Sequence, residues 1–322
     1  MAACPHPPDR LRPLFPARDY ITRDAFEVVE CGACGLALTT PSPGPDHIAD
    51  YYPASYYASA GGRRFPGPVE QLQRLLYAMR ARTVEQLAGG RPGRVLDIGC
   101  GPGRLLEAFR RRGWEVQGIE LTDASAAHAR DVLGIPVHVG PPEAWPWPKG
   151  HFDAVVLWHV LEHWEDPLAP LAHARRLLRS GGVVMVGVPN FGSAEARATR
   201  DRWFHLDVPR HVVHMTPRWL EGALGGAGFE VRRTSYAAPE YDAFSFVQSA
   251  LNRLGLRHNL LYDLLRGRAA KVLGRPPRWY EVALSLAAAV PLGLASLPAT
   301  ALLGIARAGS SVTMFAVKAE HT

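Results

Sequence analysis

Cysteine is scarce in this 322-residue chain: Cys4, Cys31, Cys34 and Cys100 are too few and too unevenly placed for a disulfide framework. The opening stretch MAACPHPPDR holds no apolar run of signal-peptide type, so a cytosolic, reducing location is the default expectation. No low-complexity tract dominates, and 47% apolar against 20% charged residues excludes disorder over the whole length. Gly (31) and Pro (28) are plentiful, but they are scattered, which excludes a collagen-like repeat. Acidic residues are nearly absent from one stretch. Between Arg253 and Arg278 lie Arg253, Arg257, Arg266, Arg268, Lys271, Arg275 and Arg278 against Asp263 alone. That stretch accounts for the whole formal charge of +6, and the rest of the chain is neutral. A uniformly basic nucleic-acid surface is thereby excluded, and no nucleic-acid partner is expected.

What is present is an ordered pattern. Residues 1–45 read as short strands and turns, and 46–90 as an aromatic linker followed by a helix with apolar residues at Val69, Leu72, Leu75, Leu76, Met79 and Leu87. From 91 to 236 strand and helix alternate: RVLDIGC, RLLEAFRRRG, WEVQGIEL, ASAAHARDVLG, IPVHVG, FDAVVLWHV, PLAPLAHARRLLRSGG, GVVMVGVPN, TPRWLEGALGGAG and FEVRRTSY. Such alternation predicts an α/β fold, a doubly wound parallel sheet with helices on both faces. Residues 237–308 form a basic and hydrophobic helical insertion, and SSVTMFAVKAE within 309–322 supplies a final strand.

The chemistry is concentrated in Val95-Leu96-Asp97-Ile98-Gly99-Cys100-Gly101-Pro102-Gly103. Glycines at the end of a first strand let main chain pass close to a ligand. Asp97 precedes them, where a carboxylate can face an ammonium group, and Glu120 ends the second strand, where it can accept both hydroxyls of a ribose. Arg104 stands where a dinucleotide fingerprint wants a small residue, which argues against a nicotinamide oxidoreductase. Together with GHFDAVVLWHVLEHWEDP and LLRSGGVVMVGVPN, these residues resemble the class I S-adenosylmethionine-dependent methyltransferases. The resemblance implies a Rossmann-like seven-stranded sheet with its last strand antiparallel, and methyl transfer from S-adenosylmethionine to a sugar, quinone or lipid-linked acceptor. It implies that Asp97 holds the methionine amino group, that Gly99, Gly101 and Gly103 pass under the cofactor, and that Glu120 takes the ribose. It further implies that Glu143 and Ala144 lie beside the adenine, and that Trp158 and His159 line the sulfonium end.

The stretch His205-Leu206-Asp207-Val208-Pro209-Arg210-His211 resembles an H-x-x-x-P-R-H loop of a subgroup of that family. Histidine is the side chain most readily tuned to take a proton near neutral pH. His211 or His205 is therefore a candidate base, and the alternative reading makes His211 a buried anchor of the loop. Arg210 pairs either a substrate acid or Asp207. His163 reads as a packed loop residue, since H-V-L-E-H lacks the zinc order H-E-x-x-H. Near the N-terminus, Cys31-Gly32-Ala33-Cys34 has zinc-knuckle spacing, and the subgroup carries an N-terminal zinc ribbon, here degenerate. Either Cys4, His6, Cys31 and Cys34 close an irregular zinc site, or the metal is lost and packing holds the remnant. The uncharged run from Val282 to Ala306, broken by Pro291 and Pro298, predicts a bent hairpin or a pair of interfacial helices rather than a bilayer span. With the basic stretch before it, residues 253–306 are expected to contact an anionic membrane surface, which would make the protein peripheral to the membrane.

Overall fold

The computed structural model of the protein describes residues 6–52 and 67–319. Strands β1 (Leu11–Arg18), β2 (Ala25–Cys31) and β3 (Ala37–Thr40) form an antiparallel meander. Helix α1 (Gly67–Leu87) leads into β4 (Arg94–Ile98), α2 (Arg104–Arg110), β5 (Glu115–Glu120), α3 (Asp123–Ala127) and β6 (Val137–Val139). Next come β7 (Phe152–Trp158), α4 (Leu168–Leu177), β8 (Leu178–Pro189), α5 (Ala194–Thr199), β9 (Val213–His214), α6 (Pro217–Gly226) and β10 (Phe229–Ser235). Helices α7 (Pro239–Arg253), α8 (Leu260–Leu265), α9 (Ala269–Leu273) and α10 (Trp279–Ile305) precede the last strand, β11 (Ser311–Lys318).

The main sheet has seven strands in the order β10-β11-β8-β7-β4-β5-β6. Its central pairs are parallel, and β11 runs antiparallel to both β8 and β10, as the alternation and the family resemblance imply. Successive residues of a strand point to opposite faces. Leu96, Ile98, Val155, Leu157, Val184 and Val186 therefore pack on one side with Leu171 of α4 and Leu220 and Leu224 of α6. Val95, Ala154, Val156, Val183 and Met185 pack on the other with Tyr77, Ala81 and Val84 of α1 and Leu106 and Phe109 of α2. Both faces are covered, which is why these strands read as unbroken apolar runs. From β4 the chain goes one way to β5 and the other way to β7, and crevices at such a switch point bind ligands beyond the strand ends.

Two features depart from the sequence reading. The N-terminal meander is stitched to the core, because β3 pairs with β9: Ala37 faces His214 and Leu38 faces Val213. The uncharged run is one helix of 27 residues, not a bent hairpin, and it continues through both Pro291 and Pro298. Each proline deletes one ladder hydrogen bond, but Ala- and Leu-rich flanks favour helix and the helix is braced along α7.

Candidate active site

One cavity of about 520 Å³ opens at the carboxyl ends of β4 and β7. Asp97, Gly99, Gly101, Trp158, His159, His205 and His211 all line it, so residues spread over 115 positions meet at one place. At Gly101 the backbone has φ +51°, and an added Cβ would stand 4.0 Å from the Glu120 carboxylate. The left-handed backbone there favours glycine, and the space beside it is open. Gly103 serves packing instead, since a Cβ on it would lie 2.8 Å from that of Ala129. Glu120 accepts a hydrogen bond from the N–H of Gly101, which lines the cavity. Ala144 is exposed and is not among the residues that line the cavity. The turn Pro142–Ala144 follows the short edge strand β6.

The floor is acidic and buried. Asp97 is 2% exposed, and its Oδ1 has no hydrogen-bond partner among the described residues. Burial, and then the neighbouring Glu120, push its carboxyl well above the usual range. Glu120 is raised by burial as well, partly offset by the Gly101 N–H. Two desolvated acids of this kind favour a cationic ligand, which would restore what burial removed. An orphaned carboxyl oxygen beside a glycine cradle fits S-adenosylmethionine, whose amino group and sulfonium are both positive.

The opposite wall is built from imidazoles and aromatic rings. His211 places Nδ1 2.8 Å from the His205 carbonyl, and His163 places Nδ1 2.9 Å from the Arg210 carbonyl. Their rings meet edge to face with centroids 4.8 Å apart. His163, expected to be a packed loop residue, thus lines the cavity. Beneath them Glu162 is 2% exposed, its Oε1 3.2 Å from His159 Nδ1 and its Oε2 without a partner among the described residues. Burial keeps all four imidazoles neutral: His159 falls to about 4 and His205 to about 3. His163 and His211 are also lowered, and at His211 the charges of Asp207 and Glu162 oppose the burial. His211 is therefore better tuned to accept a proton than His205.

Several lining residues escaped the sequence reading. Tyr20 comes from the turn after β1, Gln73 and Tyr77 from α1, Glu240, Tyr241 and Phe244 from α7, and Tyr262 from α8. The one available signal was the aromatic density of YDAFSF and LLYDLL inside the insertion. Arg210 proves structural. It is fully buried and binds Asp19 (2.7 Å), Asp207 (2.9 Å) and the Tyr51 carbonyl (3.0 Å), tying the N-terminal meander to the loop. Arg210→Ala leaves Asp19 buried without its cation and is expected to cost about 3–5 kcal/mol of stability, read as a lowered denaturation midpoint.

Among the described residues, His6, Cys31 and Cys34 bring three donor atoms within 4.8 Å of one another, while Cys4 lies outside those residues. His6 Nδ1 is 3.6 Å from Cys34 Sγ. Burial raises the Cys31 thiol, but hydrogen bonds from His6 and from the Ala33–Cys34 turn outweigh it and bring it down to about 6. Glu162, His163 and His211 form a second such group inside the cavity.

Residues 69–234, a little over half of the chain, match the family description of a methyltransferase domain. A malonyl-[acyl-carrier protein] O-methyltransferase of Enterobacter lignolyticus is 31% identical over 222 residues, which cover 68% of this chain and 84% of that protein. A ubiquinone biosynthesis O-methyltransferase of Alkalilimnicola ehrlichii is 37% identical over 119 residues, which cover 35% of this chain and 48% of that protein. The chain thus spans about half the length of the latter relative. In the solved structure of Haemonchus contortus phosphoethanolamine N-methyltransferase 2 in complex with S-adenosyl-L-methionine, 85% of this chain and 60% of that one superpose with a TM-score of 0.52 at 17% identity, a likeness of fold. The chain belongs to the methyltransferase-domain family and is an S-adenosylmethionine-dependent methyltransferase.

Proposed function

We propose that the protein methylates an oxygen of a small-molecule acceptor held against the imidazole and aromatic wall, the acceptor being a quinone-type ring, a sugar or a lipid-linked intermediate. The observation that carries this reading is the pairing, in one cavity, of the orphaned Asp97 carboxyl with four neutral imidazoles. The names of the two O-methyltransferase relatives support oxygen as the accepting atom.

Asp97 would bind the amino group of the cofactor, Glu120 its ribose, and the main chain at Gly99 and Gly101 would run beneath it. S-adenosylmethionine, when bound, supplies a methyl group already activated by its sulfonium. The protein's own contribution is alignment, exclusion of water and removal of one proton. His211 takes that proton on Nε2, since the His205 carbonyl holds Nδ1 as the N–H nitrogen. Glu162 steadies the imidazolium that results. Trp158 walls the cavity, with the Arg80 guanidinium stacked on its ring at 4.2 Å and ion-paired to Glu240. Phe204, Phe244 and Tyr262 pack edge to face, at centroid separations of 5.1 and 5.3 Å for the two pairs involving Phe204, and offer the acceptor an aromatic slot.

Purified protein incubated with methyl-labelled cofactor and panels of phenols, sugars and membrane extract is expected to label an acid-stable methyl ether or ester. Label appearing only on carbon or nitrogen, or no label with any acceptor, counts against the proposal. Cytoplasmic placement at a membrane surface is part of the same reading.

A further inference from the structure

Helix α10 is built inside out. In a soluble protein the large apolar side chains of a surface helix face the core and polar ones face water. Here the buried positions are small or hydroxyl-bearing: Ser285, Ser296 and Thr300 are at most 6% exposed. Ala288, Ala289 and Leu292 pack on the same side against Val247 and Leu251 of α7 and Leu261 of α8. The bulky residues point away. Leu294 is 78% exposed and Ile305 81%, with Leu284, Leu286, Val290, Leu297 and Leu302 also exposed. Between Val282 and Ala306 every exposed side chain is Ala, Val, Leu, Pro or Ile. Small residues toward a helical neighbour and large apolar ones outward is the arrangement of a helix in lipid.

The flanks match that surroundings. Exposed Trp279 and Tyr280 follow exposed Arg278 at one end, and exposed Arg307 stands at the other, so aromatic and cationic groups bracket an uncharged face. Between those flanks the exposed face carries no hydrogen-bonding side chain. Nor does the helix leave the body. Its start is tied by Glu281 to Arg275 and Arg257, its middle packs on α7, and Gly304 near its end lies against Tyr236 and Ala237.

We infer that the exposed face of α10 lies in the outer part of a lipid leaflet, parallel to the surface, and that apolar insertion rather than charge drives the attachment. The sequence reading rests on the basic stretch instead, and the flotation experiment below separates the two. Of the basic residues before the helix, Arg268 is buried on Asp263, and Arg257 and Arg275 share the single carboxylate of Glu281. The inference is independent of the acceptor.

Flotation of the full-length protein with neutral phosphatidylcholine vesicles, and with vesicles containing added phosphatidylglycerol, tests it. The protein is expected to float with both and to stay bound in high salt. The variant carrying Leu294→Asp, Leu297→Asp and Leu302→Asp is expected to lose flotation by about tenfold or more. These side chains are exposed, so the variant should keep the thermal shift given by S-adenosylmethionine, which shows it folded. Three results would overturn the inference: no flotation with either vesicle, flotation that requires phosphatidylglycerol and vanishes in high salt, or a wild-type dimer that the variant dissolves without any vesicle binding.

Discussion

Asp97→Asn is expected to weaken S-adenosylmethionine binding about 100-fold while leaving the ligand-free protein as stable as before or more so. The first effect follows from removing a buried charge that a cationic ligand would pair, worth about 1.5–3 kcal/mol or more. The second follows from the sign of the pKa shift. Asp97 titrates above its unfolded value because it is desolvated and beside Glu120. Its contribution to stability is present below the unfolded carboxyl pKa and lost as pH rises through the raised folded value. Ionising the carboxyl in that buried place is a cost, and Asn removes it. Binding of a cation pulls the proton off, so affinity should rise with pH through the raised pKa and level off above it. Calorimetry in buffers of different ionisation enthalpy measures both affinity and the released proton. An unchanged affinity in the variant would overturn the assignment.

His211→Asn carries the second large effect, a fall in kcat of about 10²–10⁴ with cofactor affinity unchanged. Burial lowers the His211 pKa below the ordinary histidine value, against the pull of Asp207 and Glu162. The base is active when unprotonated, so the rate should be flat across neutral pH and fall tenfold per unit only below that depressed value. Glu162→Gln removes one of the opposing charges and should move this limb to still lower pH. A merely structural role for His211 would lower the amount of folded enzyme and leave the pH profile where it was. Full activity of His211→Asn would pass the proton-accepting role to another group.

The fold was legible because parallel strands covered on both faces must be apolar throughout, and RVLDI, FDAVVLW and GVVMVGVP carry that signature. The glycine-rich end of the cavity was legible for a related reason: Asp97, Gly99 and Gly101 sit within five residues, at the end of one strand and in the loop after it. The opposite wall was not. Tyr20, Tyr77, Tyr241 and Tyr262 reach it from four separate elements, and no local period or spacing ties them together. Arg210 was ambiguous because its partner Asp19 lies 191 positions away. The long helix was misjudged through its prolines, whose local disfavour was outweighed by packing on α7.

The stitching of β3 to β9 bears on the cavity. It fastens the meander that bears Tyr20 to the loop that bears His205 and His211, while the helices bearing Phe244 and Tyr262 arrive as a separate insertion ahead of β11. Neither piece supplies a strand to the β4–β5 pair that carries Asp97 and Glu120. The wall facing those acids is thus assembled from parts of the chain that lie before and after the strands bearing them.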